Sequence, residues 1–250
     1  MTINIQPFEG ITEVDIDAYE KENPLHDYDF SKAIYPYKSN QPFPQLRNID
    51  INHWETILKN RLISVNLNFS YCMFYFEKGI PDEEWYISPG KQGQSIQYHP
   101  HFENEHYSNF YNFIYFADIF FLKAYTVCET IGHLLFKLYD FKIDENDPRD
   151  QISFNSVIFH LKNEDLSLYR ALNKVKYSTP FQKGVRMRND IAHNHPPYEI
   201  TSGVKLSSNG ESFGVGDYTT SKEIKKVMID FLESIKAILE VLHKHLSLSK

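Results

Sequence analysis

Cysteine is nearly absent: the chain has two, Cys72 and Cys128, each set inside an apolar helical pattern. Two isolated thiols build neither a disulfide framework nor a zinc knuckle, and they fit a reducing cytoplasm. An excess of positive charge is missing too. The formal net charge of −7 argues against broad polyanion binding, so any contact with nucleic acid has to be local. The most hydrophobic stretch, 110–125, is broken by Asn112, Asp118 and Lys123, which excludes an uninterrupted membrane span and leaves a buried helix. The first residues have no basic segment followed by an apolar one, so no signal peptide is expected there. Neither a glycine-rich phosphate loop nor a Gly-x-Ser-x-Gly turn occurs. Tyr98, His99, His101 and His106, like His243 and His245, are near one another but lack carboxylates or thiolates at ligand spacing. No metal and no cofactor are therefore expected.

What is abundant is packing material. Apolar residues make up 42% of the chain and aromatics 15%, enough for a sizeable core in 250 residues. Residues 1–49 carry Pro7, Pro24, Pro36, Pro42 and Pro44 and a run of acids. They read as an irregular arm, and Tyr28, Phe30, Tyr35, Tyr37 and Phe43 suggest that it packs on the rest rather than being a disordered tail. Residues 50–250 read as a mainly α domain, an antiparallel bundle of long helices with small β-hairpins in its loops. One helix is expected from about Asp50 to Lys78, with apolar residues recurring at three and four from Trp54 to Phe76. A second, from about Glu105 to Phe141, has the clearest seam, Phe110 to Leu138. Between them lies a long excursion in which Trp85–Ile87 and Ser95–Tyr98 can pair. Asp147-Pro148 is expected to start a shorter helix ending near Leu161, and another runs from about Glu164 to Lys176. Asn209-Gly210 between two extended runs signals a second hairpin. Thr220 and Glu223 form a capping box for a last helix to about Leu246.

The unusual stretch is Lys183 to Pro197. Thr179, Pro180 and Gln182 predict a helix start just upstream, with Thr179 as cap and Gln182 closing the box. Pro196 and Pro197 stop the helix, because residues before proline leave the α region. One short helix thus carries Lys183, Arg186, Arg188 and Asn189, with His193 in its last turn and Asp190 as the only nearby acid.

The run Arg188-Asn189-Asp190-Ile191-Ala192-His193, an arginine, a polar residue, three more residues and a histidine, resembles the signature of the HEPN superfamily. In architecture the resemblance covers roughly Asp50 to Leu246, and it is nearest to bacterial members with an N-terminal arm. It implies a helical bundle that forms a symmetric homodimer with the motif at the interface. It also implies a metal-independent endoribonuclease in a defence or toxin–antitoxin setting, acting on RNA, with a cognate antitoxin or regulatory protein as a further partner. It singles out Arg188 and His193 as catalytic. In members controlled by a minimal nucleotidyltransferase, a tyrosine two residues after the histidine is modified; here that position is His195, and the nearest tyrosine is Tyr198.

The chemistry fits those residue types. RNA cleavage without metal uses the substrate's 2′-hydroxyl as nucleophile, so the protein must move protons and neutralise charge on phosphorus. Histidine does the first near neutrality, and the planar guanidinium does the second. Asn189 suits an orienter of His193, while Lys183, Arg186 and His195 suit RNA contacts. Helical spacing leaves the pairing open. Arg188 and His193 are five apart, about 140° around the axis, whereas Arg186 and His193, seven apart, share a stripe. Either the helix unwinds at His193, or Arg186 is its neighbour, or two copies complete the cleft. Arg170, Lys174 and Lys176 read as a solvated face. Glu129 and His133, four apart, read as a polar pair at the bundle edge. A non-catalytic helical module that binds protein, RNA or nucleotide remains the alternative to an enzyme.

Overall fold

The computed structural model describes residues 3–26, 28–29, 34, 45–88, 96–144, 147, 151–207 and 210–248. Phe30, Tyr35, Pro36, Tyr37, Pro42, Phe43, Pro44, Ser95, Pro148 and Asn209 lie outside them. Among the described residues six α-helices form a bundle, as the apolar periodicity requires: α1 (Gln45–Glu77), α2 (Asn104–Tyr139), α3 (Phe154–Glu164), α4 (Leu166–Lys176), α5 (Thr179–His193) and α6 (Ser221–Leu248). Strand β1 (Tyr86–Ile87) pairs antiparallel with β2 (Gln97–Tyr98). Likewise β3 (Val204–Ser207) pairs with β4 (Gly210–Phe213), a shorter ladder than the flanking extended runs suggest.

The long helices α1 and α2 lie antiparallel, with α1 beginning five residues earlier than its pattern predicts. Phe69 meets Phe120 in the core, and Arg61 reaches across to the Thr126 carbonyl (2.7 Å) and the Thr130 hydroxyl. By length and composition α2 could cross a membrane, but most of its apolar stretch is buried, packed by α1, α3, α5 and α6. The N-terminal residues form two short 3₁₀ helices, Ile11–Glu13 and Asp17–Glu22. The Phe8 amide donates to Asn112 Oδ1 (2.8 Å), the Gln6 amide donates to Ser108 Oγ (3.0 Å), and Leu25 is fully buried.

Three helix starts show how caps are chosen. For α6 the expected box forms: Glu223 accepts from the Thr220 amide at 3.0 Å, and Thr220 Oγ1 accepts from the Glu223 amide at 3.3 Å. Beside it Asp82, fully buried in the excursion after α1, accepts from Ser221 N (2.7 Å), Ser221 Oγ (2.8 Å) and Tyr218 OH (2.7 Å). The start of α3 corrects the expectation at Asp147-Pro148. Ser153 is the cap, in extended conformation, with Ser156 closing the box, and residues 151–153 are not helical. A close approach explains the site. A Cβ on Gly132 of α2 would stand 2.7 Å from Phe154 N, so the glycine lets the first turn of α3 lie directly on α2. The start of α5, by contrast, is one residue earlier than expected. Ser178 accepts from the Phe181 amide (3.4 Å), Thr179 is already helical, and Gln182 does not close a box. Its Nε2 is taken by the Lys176 carbonyl at the end of α4 (2.6 Å), which leaves the helix to be capped from Ser178.

Candidate functional site

Helix α5 is held against the bundle by Phe181, Gly184 and Met187, its buried residues. At Gly184 α5 lies directly against α6, because a Cβ there would lie 2.3 Å from the Phe231 ring. Phe181 and Phe231 meet edge-on at 5.6 Å. With that face buried, the opposite face carries the exposed Lys183 and Arg186, and His193 ends the helix in solvent.

Arg188 lies at the edge between the two faces, half-buried, with its guanidinium 4.6 Å from the centroid of the Tyr125 ring on α2. From there Nη1 donates to Asn189 Oδ1 at 2.9 Å and stands 3.5 Å from His193 Nε2, a contact at the long limit of a hydrogen bond. Arginine has only donors, so this contact requires an unprotonated Nε2. Five residues is an axial rise of about 7.5 Å, which the long guanidinium side chain spans once it is laid over the Tyr125 ring. Arg188 Nε is buried and has no hydrogen-bond partner. Arg186 behaves differently. Its side chain is 84% exposed, and Nε points to Asp190 Oδ2 at 3.7 Å. Asp190 also accepts from Asn194 Nδ2 (3.0 Å), and Asn194 caps the helix end with its amide on the Asp190 carbonyl. The structure thus brings together Arg188, Asn189 and His193, and sets Arg186 with Asp190. His195 turns away, with Nδ1 3.0 Å from the Pro196 carbonyl.

Tyr125 itself is tuned by burial, which pushes its phenol up to about 12, with the Glu129 carboxylate adding to the shift and Arg188 opposing it. Glu129 accepts from the Phe154 amide at 3.3 Å. His133, expected to pair with Glu129, instead stacks flat on Trp54 at 4.3 Å, where burial and the nearby Arg61 and Lys137 lower its pKa. The two residues therefore serve separate neighbours. Trp54 belongs to α1, and Glu129 is drawn towards the start of α3.

A second anchor lies just past the motif. Tyr198 OH donates to both oxygens of Asp118 on α2, at 2.9 and 2.8 Å, and ties down the chain that leaves His193. Burial raises Asp118 to about 6; the Tyr198 hydrogen bond opposes this and Glu199 adds to it. Tyr198 is only 9% exposed, so the tyrosine that follows the motif most closely in sequence is buried with its hydroxyl engaged. Sequence reading met Asp118 only as a break in the apolar run and did not single out Tyr125. The signal was present, because 118, 122, 125 and 129 recur at four, three and four residues, a partly polar stripe on an apolar helix.

Among the described residues no three His, Cys, Asp or Glu side chains gather closely enough to hold a metal ion. No curated protein and no solved structure matches the chain. A family model does, and it spans the bundle from Trp54 on α1 through the motif helix and most of α6. With residues 54–247 matched by the HEPN_Cthe2314-like HEPN model, and the Arg–His run on the fifth of its six described helices, the chain belongs to that HEPN family.

Proposed function

We propose that this protein is a metal-independent endoribonuclease of the HEPN type that works as a homodimer. The observation that carries the reading is the Arg188–His193 pair: a guanidinium fixed over Tyr125 and an exposed imidazole 3.5 Å away. The 2′-hydroxyl of RNA is the nucleophile, so the protein needs to supply only proton transfer and charge neutralisation. His193 is the proton-transfer group. Arg188 neutralises charge on the phosphoryl oxygens, and a phosphate arriving there gives Arg188 far better acceptors than the long contact to the ring. Asn189 holds the guanidinium in place through its 2.9 Å bond. Lys183, Arg186 and His195 are outer phosphate contacts.

One phosphate needs two proton transfers, one from the 2′-hydroxyl and one to the departing 5′-oxygen, on opposite sides of phosphorus. A single His193 faces one side, and a second copy supplies the other. On the same α2 stripe as Asp118 and Tyr125, Leu122 is about two-fifths exposed, apolar material for such a contact.

The test is cleavage of unmodified RNA by purified protein. His193→Ala should cost roughly 10²–10⁴-fold in rate with little loss of RNA binding. Arg188→Ala should lose both cleavage and about one phosphate's worth of salt dependence. Arg186→Ala should cost little in the rate of the cleavage step, since that side chain stands with Asp190 outside the Arg188–His193 pair, and should show only the weaker, less salt-dependent binding of a lost outer phosphate contact. Activity should persist in EDTA, and sedimentation should show a dimer. A wild-type protein that cuts no RNA, with His193→Ala only lowering the melting temperature, would leave a non-catalytic HEPN module in its place.

A further inference from the structure

Lys176 departs from the solvated face expected of it. Its side chain is half-buried at the end of α4, with the ammonium 5.3 Å from the ring centroid of Tyr177, and it has no carboxylate partner among the described residues. Burial lowers its pKa, as for a cation that has lost water without gaining a counter-ion. Tyr177 is 67% exposed, an unusual position for so large a ring in the tight turn between two helices.

Both residues line one groove of about 270 Å³, together with Tyr125, Asn155, Phe181 and Gln182. That is near the lower end of the size of small-ligand sites, suited to a single ring system rather than a long chain. Its lining mixes aromatic faces with amides. Gln182 Nε2 is spent on the Lys176 carbonyl, which leaves Oε1 free to accept, and Asn155 is exposed at the rim. The position is as telling as the lining. Tyr125 is one wall of the groove, and the same ring supports the Arg188 guanidinium. Along α5 the groove residues Val185 and Gln182 precede Arg188 by three and six residues, or about 5–9 Å.

We propose that this groove is a nucleobase subsite: it takes the base of the nucleotide next to the phosphate held by Arg188, stacks it on Tyr177, and engages that nucleotide's phosphate with Lys176. The inference rests on the ribonuclease reading for its substrate, single-stranded RNA. Stacking on an exposed tyrosine is tolerant of sequence, and an unpaired, partly desolvated ammonium is what a phosphate compensates best. Substrate would thus be gripped on one side of the cut by side chains of α4 and α5 that take no part in proton transfer.

The experiment uses full-length protein and a fluorescein-labelled ten-nucleotide 2′-O-methyl RNA, whose blocked 2′-oxygens prevent cleavage, with binding read by anisotropy. Tyr177→Ala should raise Kd by roughly 5- to 150-fold, the loss of one base stack. Tyr177→Phe should stay within about twofold of wild type, because the ring and not the hydroxyl is used. Lys176→Ala should reduce the slope of log Kd against log salt by about 0.7, one phosphate contact on a single strand. Circular dichroism should show each variant folded. Wild-type affinity in Tyr177→Ala overturns the subsite, as does failure of the wild type to bind the oligonucleotide. Cleavage of unmodified RNA judges the other reading separately. If the wild type cleaves and Tyr177→Ala keeps the wild-type KM, the nuclease stands without the subsite. If nothing is cleaved but binding depends on Tyr177, the subsite stands without the nuclease.

Discussion

Gly184→Ala tests the placement of the motif helix with the smallest change available. The added methyl would stand 2.3 Å from Phe231 Cγ, 2.4 Å from Cδ2 and 2.8 Å from Cδ1, whereas carbon atoms in contact settle at about 3.5–4.0 Å. A gap of more than 1 Å has to be found. Phe231 cannot supply it by swinging out, because it is fully buried and Cγ lies next to its own backbone. Helix α5 must therefore move off α6. Overpacking of this kind costs about 1–3 kcal/mol, occasionally more, and alanine returns up to about 1 kcal/mol of helix propensity. The clash at the root of the ring puts the cost at the upper end, so a net loss of about 1–2 kcal/mol is expected. For a chain of this size that lowers Tm by roughly 2–8 °C. Thermal unfolding followed by circular dichroism measures it, and a double-mutant cycle with Phe231→Ala isolates the cause. Phe231→Ala alone should cost about 3–5 kcal/mol, but in that background Gly184→Ala should become neutral or stabilising. A Gly184→Ala protein as stable as wild type, or one whose penalty is unchanged without the ring, would refute the close approach as the reason for glycine.

Two further outcomes follow from the contacts around the motif. Asp118 is raised by burial to about 6 from an ordinary 3.8. Between those values the folded state holds more protons than the unfolded one, so this residue makes stability fall as pH rises from about 4 to 6. Asp118→Asn keeps an oxygen for Tyr198 and should flatten that part of the curve, measured as urea-unfolding free energy at several pH values; an unchanged slope would argue against it. Tyr125→Leu removes the ring beneath Arg188, an interaction worth about 0.5–2 kcal/mol. RNA cleavage should fall by roughly 2- to 30-fold in kcat/KM while Tyr125→Phe stays near wild type, and equal loss in both would move the role from the ring to the hydroxyl.

The helical architecture was legible in the residues because its signals act within a turn or two. The seam on α2, the Thr220–Glu223 box, the pairing of β1 with β2 and the stop before Pro196 all depend on neighbours close in sequence. Even caps become ambiguous when two hydroxyls compete. The expected cap Thr179 gives way to Ser178, with Gln182 taken by the Lys176 carbonyl, and the start of α3 depends on Gly132, far back on α2. The same limit explains the arginines. Periodicity places Arg186 and His193 on one stripe, yet Arg188 is the one beside His193, because Tyr125 from α2 lies under its guanidinium while Asp190 draws Arg186 aside. Likewise Glu129 and His133, neighbours on one helix, are separated by what packs against them: Phe154 on one side and Trp54 on the other. Local sequence thus determined which helices form and which residues they carry. Only the tertiary structure decided which side chains meet, because a long polar side chain can reach several positions and the distant helix that buries part of it selects one.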